Sequence, residues 1–310
     1  MDIIGKGRIF GILSALVVVA SIVLMISPGL KLGVDFESGT TITYRLGGAD
    51  PGSEAIRVAI AATGHTEVVV QKLVNNEYFV RLSQLEDGEK EEIDGAVQDL
   101  SGEPPVTLDN TTVGRSVAED TVQNAITAIV IAALFVMLYI MYAFRTVPSA
   151  YRYALAAIVA LAHDVLATLG VFALLGVALG VEVNAIFIVG ILTVIGYSVN
   201  DTIVVFDRIR ENVRIAPNRP FRNTVNLSIN ESITRSLGTS ITTATVILAM
   251  LLFGGETLRD FLIVLLTGVV VGTYSSIFVA ANILVAWHDG TLGKVLGAPL
   301  RRFRRQAEPA

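Results

Sequence analysis

Six long apolar runs alternate with polar segments along the chain. A helix that crosses the hydrocarbon core of a bilayer, about 30 Å thick, needs about 20 apolar residues. The runs occupy 9–27, 121–143, 153–175, 185–206, 238–254 and 261–287. The fifth run is long enough only if its helix begins earlier, near Ser232. The pattern predicts a polytopic α-helical membrane protein with six transmembrane helices, which we number as spans one to six.

The polar segment between spans one and two has the pattern of a small folded domain. Its Thr-, Val- and Tyr-rich stretches predict strands, and Asn75-Asn76 predicts the turn between two of them. Asp50 is a suitable N-cap for a helix whose apolar face carries Val58, and a second, polar helix precedes the last strand. The predicted strands are 34–46, 66–74, 77–83 and 104–114. The order β-α-β-β-α-β is that of a ferredoxin-like domain, and a different small α+β domain is the alternative.

Lys and Arg are distributed unevenly among the short loops. Cytoplasmic loops of membrane proteins carry an excess of these residues. Lys6, Arg8 and the loops after spans two and four are basic, whereas 176–184 and 255–260 together contain one Arg. Both termini are therefore predicted to be cytoplasmic and the domain extracytoplasmic. The predicted divisions are 1–30 with span one, 31–119 for the domain, 120–288 for spans two to six, and 289–310 for a basic tail.

Composition supports a membrane protein and excludes several kinds of site. The chain is 53% hydrophobic and 16% charged, with a mean hydropathy of +0.64, whereas soluble domains carry about 25% charged residues. It has no cysteine, which excludes disulfides and thiol catalysis, and three histidines, too few for a His-rich metal site. We expect no metal, no organic cofactor, no enzymatic activity and no nucleic-acid partner.

Three ionisable residues stand out within the predicted spans, where charges are costly and usually functional: Asp164, Asp201 and Arg235. With a rise of 1.5 Å per residue, Asp201 lies roughly 24 Å from the outer edge of the membrane and Arg235 roughly 28 Å, so the two are predicted to pair. Asp164 lies about 16 Å from the same edge, near the middle.

Polar side chains accompany these ions at helical spacing. They predict a polar seam between spans four and five, and structural hydrogen bonds between helices are the alternative. The predicted members are Tyr197 and Asn200 beside Asp201, and Thr239, Thr242 and Thr243 beside Arg235, with Asp164 in support. In span six, Gly268 and Gly272 predict close packing against another helix.

The stretch GYSVNDTIVVFDRIREN, at 196–212 in span four, is the most specific of several motifs in the chain. It resembles the fourth span of SecF, the smaller half of the bacterial SecDF protein-export machinery. LGVDFESGT at 32–40 is similar to the glycine motif after the family's first span, with Ser38 in place of a usual glycine. TRSLGTSITT at 234–243 and FGGETLRDF at 253–261 resemble the fifth span and the loop after it.

The resemblance implies a fold, partners and a source of energy. It implies one half of a two-lobed bundle of the RND superfamily, located in the bacterial cytoplasmic membrane. The implied partners are SecD, the SecYEG channel with its accessory subunits, the unfolded polypeptide in transit, and membrane lipid. It implies that the proton-motive force helps to complete export and that Asp201 and Arg235 are the proton-coupling pair. The resemblance alone favours H⁺ over Na⁺ as the coupling ion.

Three alternatives stay open at this point. One is a small-molecule or lipid exporter of the same superfamily, although such pumps usually have larger outer domains. Another is an intramembrane aspartyl protease in which Asp164 and Asp201 share a proton. The third is an assembly subunit in which the charged residues are only structural.

Overall fold

The computed structural model describes residues 1–73, 75–86, 88–147, 149–255 and 258–290. After a short 3₁₀ turn at Ile4–Lys6, the helices are α1 (Gly7–Ile26), α2 (Val34–Glu37), α3 (Ser53–Ala62), α4 (Glu89–Ser101), α5 (Arg115–Ala143), α6 (Ala150–Leu179), α7 (Ala185–Ile215), α8 (Phe221–Phe253), α9 (Arg259–Ser275) and α10 (Ala281–His288). A π-helical turn, Ser276–Ala280, joins α9 to α10. The strands are β1 (Gly39–Arg45), β2 (Val69–Lys72), β3 (Glu77–Leu82) and β4 (Val106–Val113). The predicted basic tail, 289–310, lies outside the described residues from position 291 onward.

Among the described residues, six helices are long and apolar enough to cross a membrane, which confirms the predicted spans. Most of them extend past the apolar runs, because helices continue into polar sequence outside the hydrocarbon. The fifth begins at Phe221, directly after Pro220, well before the apolar run at 238. Spans three, four and six are about half buried, whereas spans one, two and five are largely uncovered. The core of the bundle is therefore α6, α7 and α9.

The chain divides into two compact units. Of the described residues, one unit contains those within 1–31, 127–182 and 186–290, and the other contains those within 32–126 and 183–185. The second unit contains one four-stranded sheet in the order β2-β3-β1-β4, and every neighbouring pair is antiparallel. Asn75 and Asn76, in the short turn between β2 and β3, both have positive φ, a conformation that asparagine tolerates. The predicted order of strands and helices is thus present along the chain.

One face of the sheet carries the core of this unit. Ile42, Tyr44 and Val80 are fully buried on the strands. They pack with Ile56 and Ile60 of α3 and with Ile93 and Val97 of α4. The predicted apolar face of α3 is wrong, because Val58 is 53% exposed and the larger isoleucines occupy the buried side.

Two local predictions in this unit are corrected. Residues 34–46 are not one strand, since Val34–Glu37 form a helical turn and Ser38, with φ of 66°, separates it from β1. Asp50 is not the N-cap of α3, because its carboxylate accepts hydrogen bonds from the backbone N–H of Gly52, the Tyr78 hydroxyl and the Lys72 ammonium. Gly52 occupies the cap position without a side-chain bond.

Helices α7 and α9 run parallel and interlock in steps of four residues. A Cβ at Gly190 would lie 2.8 Å from Val264, one at Gly268 would lie 2.0 Å from Val194, and one at Gly272 would lie 3.0 Å from Ser198. Four residues after Ser198 and Gly272, the hydroxyls of Thr202 and Ser276 are 2.9 Å apart. All four contacts join residue i of α7 to residue i + 74. The predicted close packing at Gly268 and Gly272 is confirmed, and its partner is span four.

Candidate functional site

Asp201 is a buried carboxylate on span four. It lies in the middle of α7 and is only 7% exposed. Its polar neighbours are the hydroxyls of Ser236 on α8 and Ser276 in the π-helical turn. The Oδ2 atom of Asp201 is buried and has no hydrogen-bond partner among the described residues. The hydroxyl oxygen of Ser236 is also buried and also has no partner there. A titratable oxygen is therefore buried among apolar side chains and hydroxyls, and no described Lys, Arg or His side chain forms an ion pair with it.

Arg235 does not form the predicted ion pair with Asp201 in this structure. Its side chain is exposed on α8, and no ion pair joins these two described residues. Successive residues of a helix point about 100° apart. Ser236, the next residue, takes the position that faces Asp201. The depth argument placed Arg235 at the right level of the membrane, but it did not determine the direction of its side chain.

The predicted threonine seam is also placed differently. Thr239 is exposed and its hydroxyl donates to the carbonyl of Arg235, while the exposed Thr242 donates to carbonyls of its own helix. Thr243 is half-buried and Asn200 is exposed. Among the seam residues, Tyr197 makes the interhelical contact, donating to the Ser240 hydroxyl at 3.1 Å.

A row of serines on α8, which the sequence analysis missed, faces the core of the bundle. The members recur at every fourth position and all are buried; they are Ser228, Ser232, Ser236 and Ser240. Ser240 bonds to Thr273 on α9 at 2.5 Å, in addition to Tyr197. The regular spacing within the stretch SINESITRSLGTS was the available signal. The buried polar face in this part of span five is thus made of serines, whereas Arg235, Thr239 and Thr242 face outward.

Asp164 is the most buried ionisable group of the described part of the bundle, with no exposed surface. Its Oδ2 atom accepts hydrogen bonds from the hydroxyls of Ser198 on α7, at 2.5 Å, and Ser275 on α9, at 2.7 Å. The Nδ1 atom of His163 lies 3.0 Å from its Oδ1 atom. Asp164 therefore contacts hydroxyls of two other spans, four and six, and neither bond reaches span five.

The sequence matches known families over most of its length. The family described as "Protein export membrane protein SecD/SecF, C-terminal" covers residues 96–290, and the SecD/SecF GG motif covers 23–49. The chain thus belongs to the SecD/SecF family of multi-pass protein-export membrane proteins.

Within that family, full-length relatives are SecF subunits. The protein translocase subunit SecF of Thermobaculum terrenum is 38% identical, over 98% of this chain and 97% of the relative. That of Anaerolinea thermophila is 36% identical, over 100% of this chain and 99% of the relative. The SecDF protein of Thermus thermophilus is 34% identical over 86% of this chain, which spans only 36% of that longer protein.

Solved structures show the same architecture. The crystal structure of Thermus thermophilus SecDF, described as a translocon-associated membrane protein, matches with a TM-score of 0.82 at 33% identity, covering 93% of this chain and 39% of that one. SecDF in a super-membrane-facing form matches with a TM-score of 0.67 at 30% identity, over 96% of this chain and 40% of that one. The chain thus corresponds to well under half of each SecDF chain.

Proposed function

We propose that this chain acts with SecD as the SecF subunit that couples the proton-motive force to late steps of preprotein translocation through the SecYEG channel. The observation that carries the proposal is Asp201, a buried carboxylate whose Oδ2 atom has no hydrogen-bond partner. Ionisable groups at membrane depth are costly and typically mark ion pathways. A group without a fixed counterion can gain and lose a proton as part of a cycle.

The exposed face of span five supports SecD as the partner that completes the site. Arg235 lies about 28 Å from the outer end of α8, within the thickness of the hydrocarbon core. A guanidinium exposed to lipid at that depth is costly, and it adjoins the exposed Thr239 and Thr242. A polar protein surface that covers this face would remove the cost. SecD and SecF sequences occur in one chain in Thermus thermophilus.

In this proposal, Asp201 and Arg235 approach each other only during the cycle. Ser236 faces Asp201, and Arg235 is the residue before it on α8. A rotation of α8 about its axis by roughly 100°, the angle between successive residues, would therefore put Arg235 in the position of Ser236. An unprotonated Asp201 attracts Arg235, and a protonated one releases it. A charge crossing the membrane potential gains about 2.3 kcal/mol per 100 mV, enough to drive such a change. H⁺ is proposed as the coupling ion because of the family resemblance.

The same proposal assigns the second compact unit to the extracytoplasmic side, as a ferredoxin-like domain that contacts the emerging polypeptide. The sheet order β2-β3-β1-β4 supports the ferredoxin-like assignment. The Lys and Arg distribution supports the orientation, with both termini in the cytoplasm. The protease alternative requires two carboxylates that face each other, whereas Asp164 is engaged by Ser198, Ser275 and His163.

The test uses membranes that contain SecD, SecYEG and either wild-type chain or Asp201→Asn. A preprotein is first arrested partway through the channel, and ATP is then removed from the reaction. A proton or sodium gradient is imposed across the membrane, and the fraction of preprotein that completes export is measured. We expect Asp201→Asn to reduce proton-driven completion at least tenfold while the complex stays assembled. Asp207→Asn, an exposed carboxylate on the same helix, serves as the matched control. Unchanged completion in Asp201→Asn would refute the proposal, and a response to sodium alone would refute H⁺ as the ion.

A further inference from the structure

Two arginines stand at the short connection between spans two and three. From residue 121 to 163, Arg145 and Arg152 are the only Lys, Arg, Asp or Glu residues. The rings of Phe144 and Tyr153, their neighbours in sequence, stack with centres 5.2 Å apart, so the two arginines lie at closely packed helix ends. Arg145 is exposed and Arg152 is half-buried, and neither forms an ion pair with any of the described residues.

A third arginine reaches the same connection from span four. Arg214, in the last turn of α7, donates a hydrogen bond to the hydroxyl of Thr146, the residue after Arg145, at 2.5 Å. It is exposed and, within the described part of the chain, forms no ion pair. Arg210, one turn earlier, is already paired with Asp207. Because like charges repel, an anion bound among the three guanidiniums would lower the energy of this arrangement.

Aromatic rings hold two of these guanidiniums. The guanidinium of Arg145 lies 4.1 Å from the ring centre of Tyr142. That of Arg152 lies 5.8 Å from the ring centre of Tyr151 and donates from its Nε atom to the Tyr151 hydroxyl at 3.3 Å. Trp287, near the end of span six, meets Tyr151 edge-on with ring centres 6.1 Å apart. The terminal N–H groups of a stacked guanidinium stay available at its edge, in a geometry that matches pairs of phosphate oxygens.

The cluster lies at a membrane surface and beside lipid. Span three begins on the side where spans two, four and six end, because successive spans alternate in direction. Tyr and Trp are enriched where membrane helices meet the lipid headgroups. From residue 128 to 141, every exposed side chain of span two is apolar or is tyrosine, as a lipid-facing helix requires. The exposed face of span five differs, since it carries Arg235 and Thr239.

We propose that Arg145, Arg152 and Arg214 bind the headgroup phosphate of an anionic phospholipid at the ends of spans two and three. The acyl chains of this lipid lie along the apolar face of span two, and the aromatic rings lie at the level of its headgroup. Arginine clusters next to membrane spans favour anionic lipids. A zwitterionic lipid fits less well, because its own cation is repelled by the arginines. The inference is independent of the role proposed for Asp201.

The test measures lipid retained by the intact SecD-containing complex. The complex is reconstituted in vesicles of equal parts phosphatidylcholine and phosphatidylglycerol, and native mass spectrometry of the released complex gives the fraction that keeps a bound phosphatidylglycerol. Each of Arg145→Gln, Arg152→Gln and Arg214→Gln should weaken this retention about fivefold, the effect of one basic residue near an anionic surface. Arg145→Lys keeps the charge without the paired N–H groups and should lose less.

Arg219→Gln is the matched control, because it removes the same charge on the same side of the membrane, from the loop before α8. It should leave retention unchanged. An equal loss in Arg219→Gln, or unchanged retention in Arg145→Gln, would overturn the inference. Displacement of the lipid by inorganic phosphate would overturn it in favour of a free-anion site. Loss of SecD from Arg145→Gln, with lipid retention unchanged, would overturn it in favour of a protein contact.

Discussion

The carboxylate of Asp35 accepts a hydrogen bond from the backbone N–H of Ala185, the first residue of α7, at 2.8 Å. A second bond, from the N–H of Gly33 to the carbonyl of Val183, also measures 2.8 Å. The first N–H groups of a helix have no partner within the helix, and a carboxylate there also interacts favourably with the helix dipole. The glycine-motif segment after span one is thus attached to residues 183–185, the last of which is the first residue of α7.

This attachment predicts a local effect of Asp35→Ala. Loss of the capping carboxylate should destabilise the first turn of α7 by about 1 kcal/mol. Hydrogen exchange of amides near Ala185 should become faster, while exchange near Asp201 changes less. Asp35→Asn, which keeps an acceptor oxygen, should exchange at nearly the wild-type rate. Identical exchange in Asp35→Ala and wild type would show that the contact does not stabilise the helix.

Arg235 provides a second prediction. Arg235→Ala should reduce proton-driven completion of export at least tenfold, because Asp201 loses the cation with which it is proposed to alternate. Arg235→Lys keeps the charge but not the planar guanidinium, so it should retain part of the activity. Arg219→Ala, an exposed arginine of the loop before α8, is the control. Wild-type completion in Arg235→Ala would remove this residue from the coupling mechanism.

The interlocked helices predict a steric effect. Gly268→Ala places a methyl group 2.0 Å from Val194, so α7 and α9 must separate. Overpacking of this kind typically costs about 1–3 kcal/mol. Thermal unfolding in detergent should show a lower Tm for Gly268→Ala. Gly196→Ala, on α7 with no neighbouring atom in reach of the added methyl group, should leave the Tm unchanged or raise it. Equal Tm values for the two variants would contradict the described packing.

A pH-dependent prediction concerns Asp50 in the unit that contains the sheet. Hydrogen bonds from Lys72 and Tyr78 lower the pKa of Asp50 from 3.8 to about 2. Because the pKa is lower in the folded state, its contribution to stability is present above pH 3.8 and disappears as the pH falls through about 2. Asp50→Asn should therefore accelerate hydrogen exchange in β2 and β3 at neutral pH.

The difference between Asp50→Asn and wild type should shrink when both are compared near pH 2. Asp109→Asn, an exposed carboxylate on β4, is the control and should show little effect at either pH. A difference that is constant between neutral pH and pH 2 would show that the ionised form of Asp50 does not stabilise the fold.

The spans could be predicted from the sequence because hydropathy sums over some 20 residues and tolerates local error. Depth could also be predicted, since every residue of a helix adds the same rise. The direction in which a side chain points from its helix could not be predicted in this way. Whether Arg235 or Ser236 faces Asp201 depends on a rotation of 100°, which packing against α7 and α9 decides.

The contacts of Asp164 could not be predicted for a related reason. On the sequence, Asp164 stands beside His163 and at a different depth from Asp201, which suggested a minor member of the seam. Its partners Ser198 and Ser275 are ordinary residues in apolar surroundings, and only the packing of three helices brings them to one carboxylate. The short turn Val34–Glu37 was missed because Asp35 is held by Ala185, a residue 150 positions away in the chain.

The four-residue register between α7 and α9 limits how the protein can change shape. A slide by one helical turn would place Val194 against Val264 instead of Gly268, so this slide is sterically unfavourable and the two helices are expected to move together. Asp201, on α7, and Ser276, directly after α9, are then expected to keep their relative positions during a cycle. The proposed rotation of α8, which carries Arg235, must therefore break the bonds of Ser240 to Tyr197 on α7 and to Thr273 on α9.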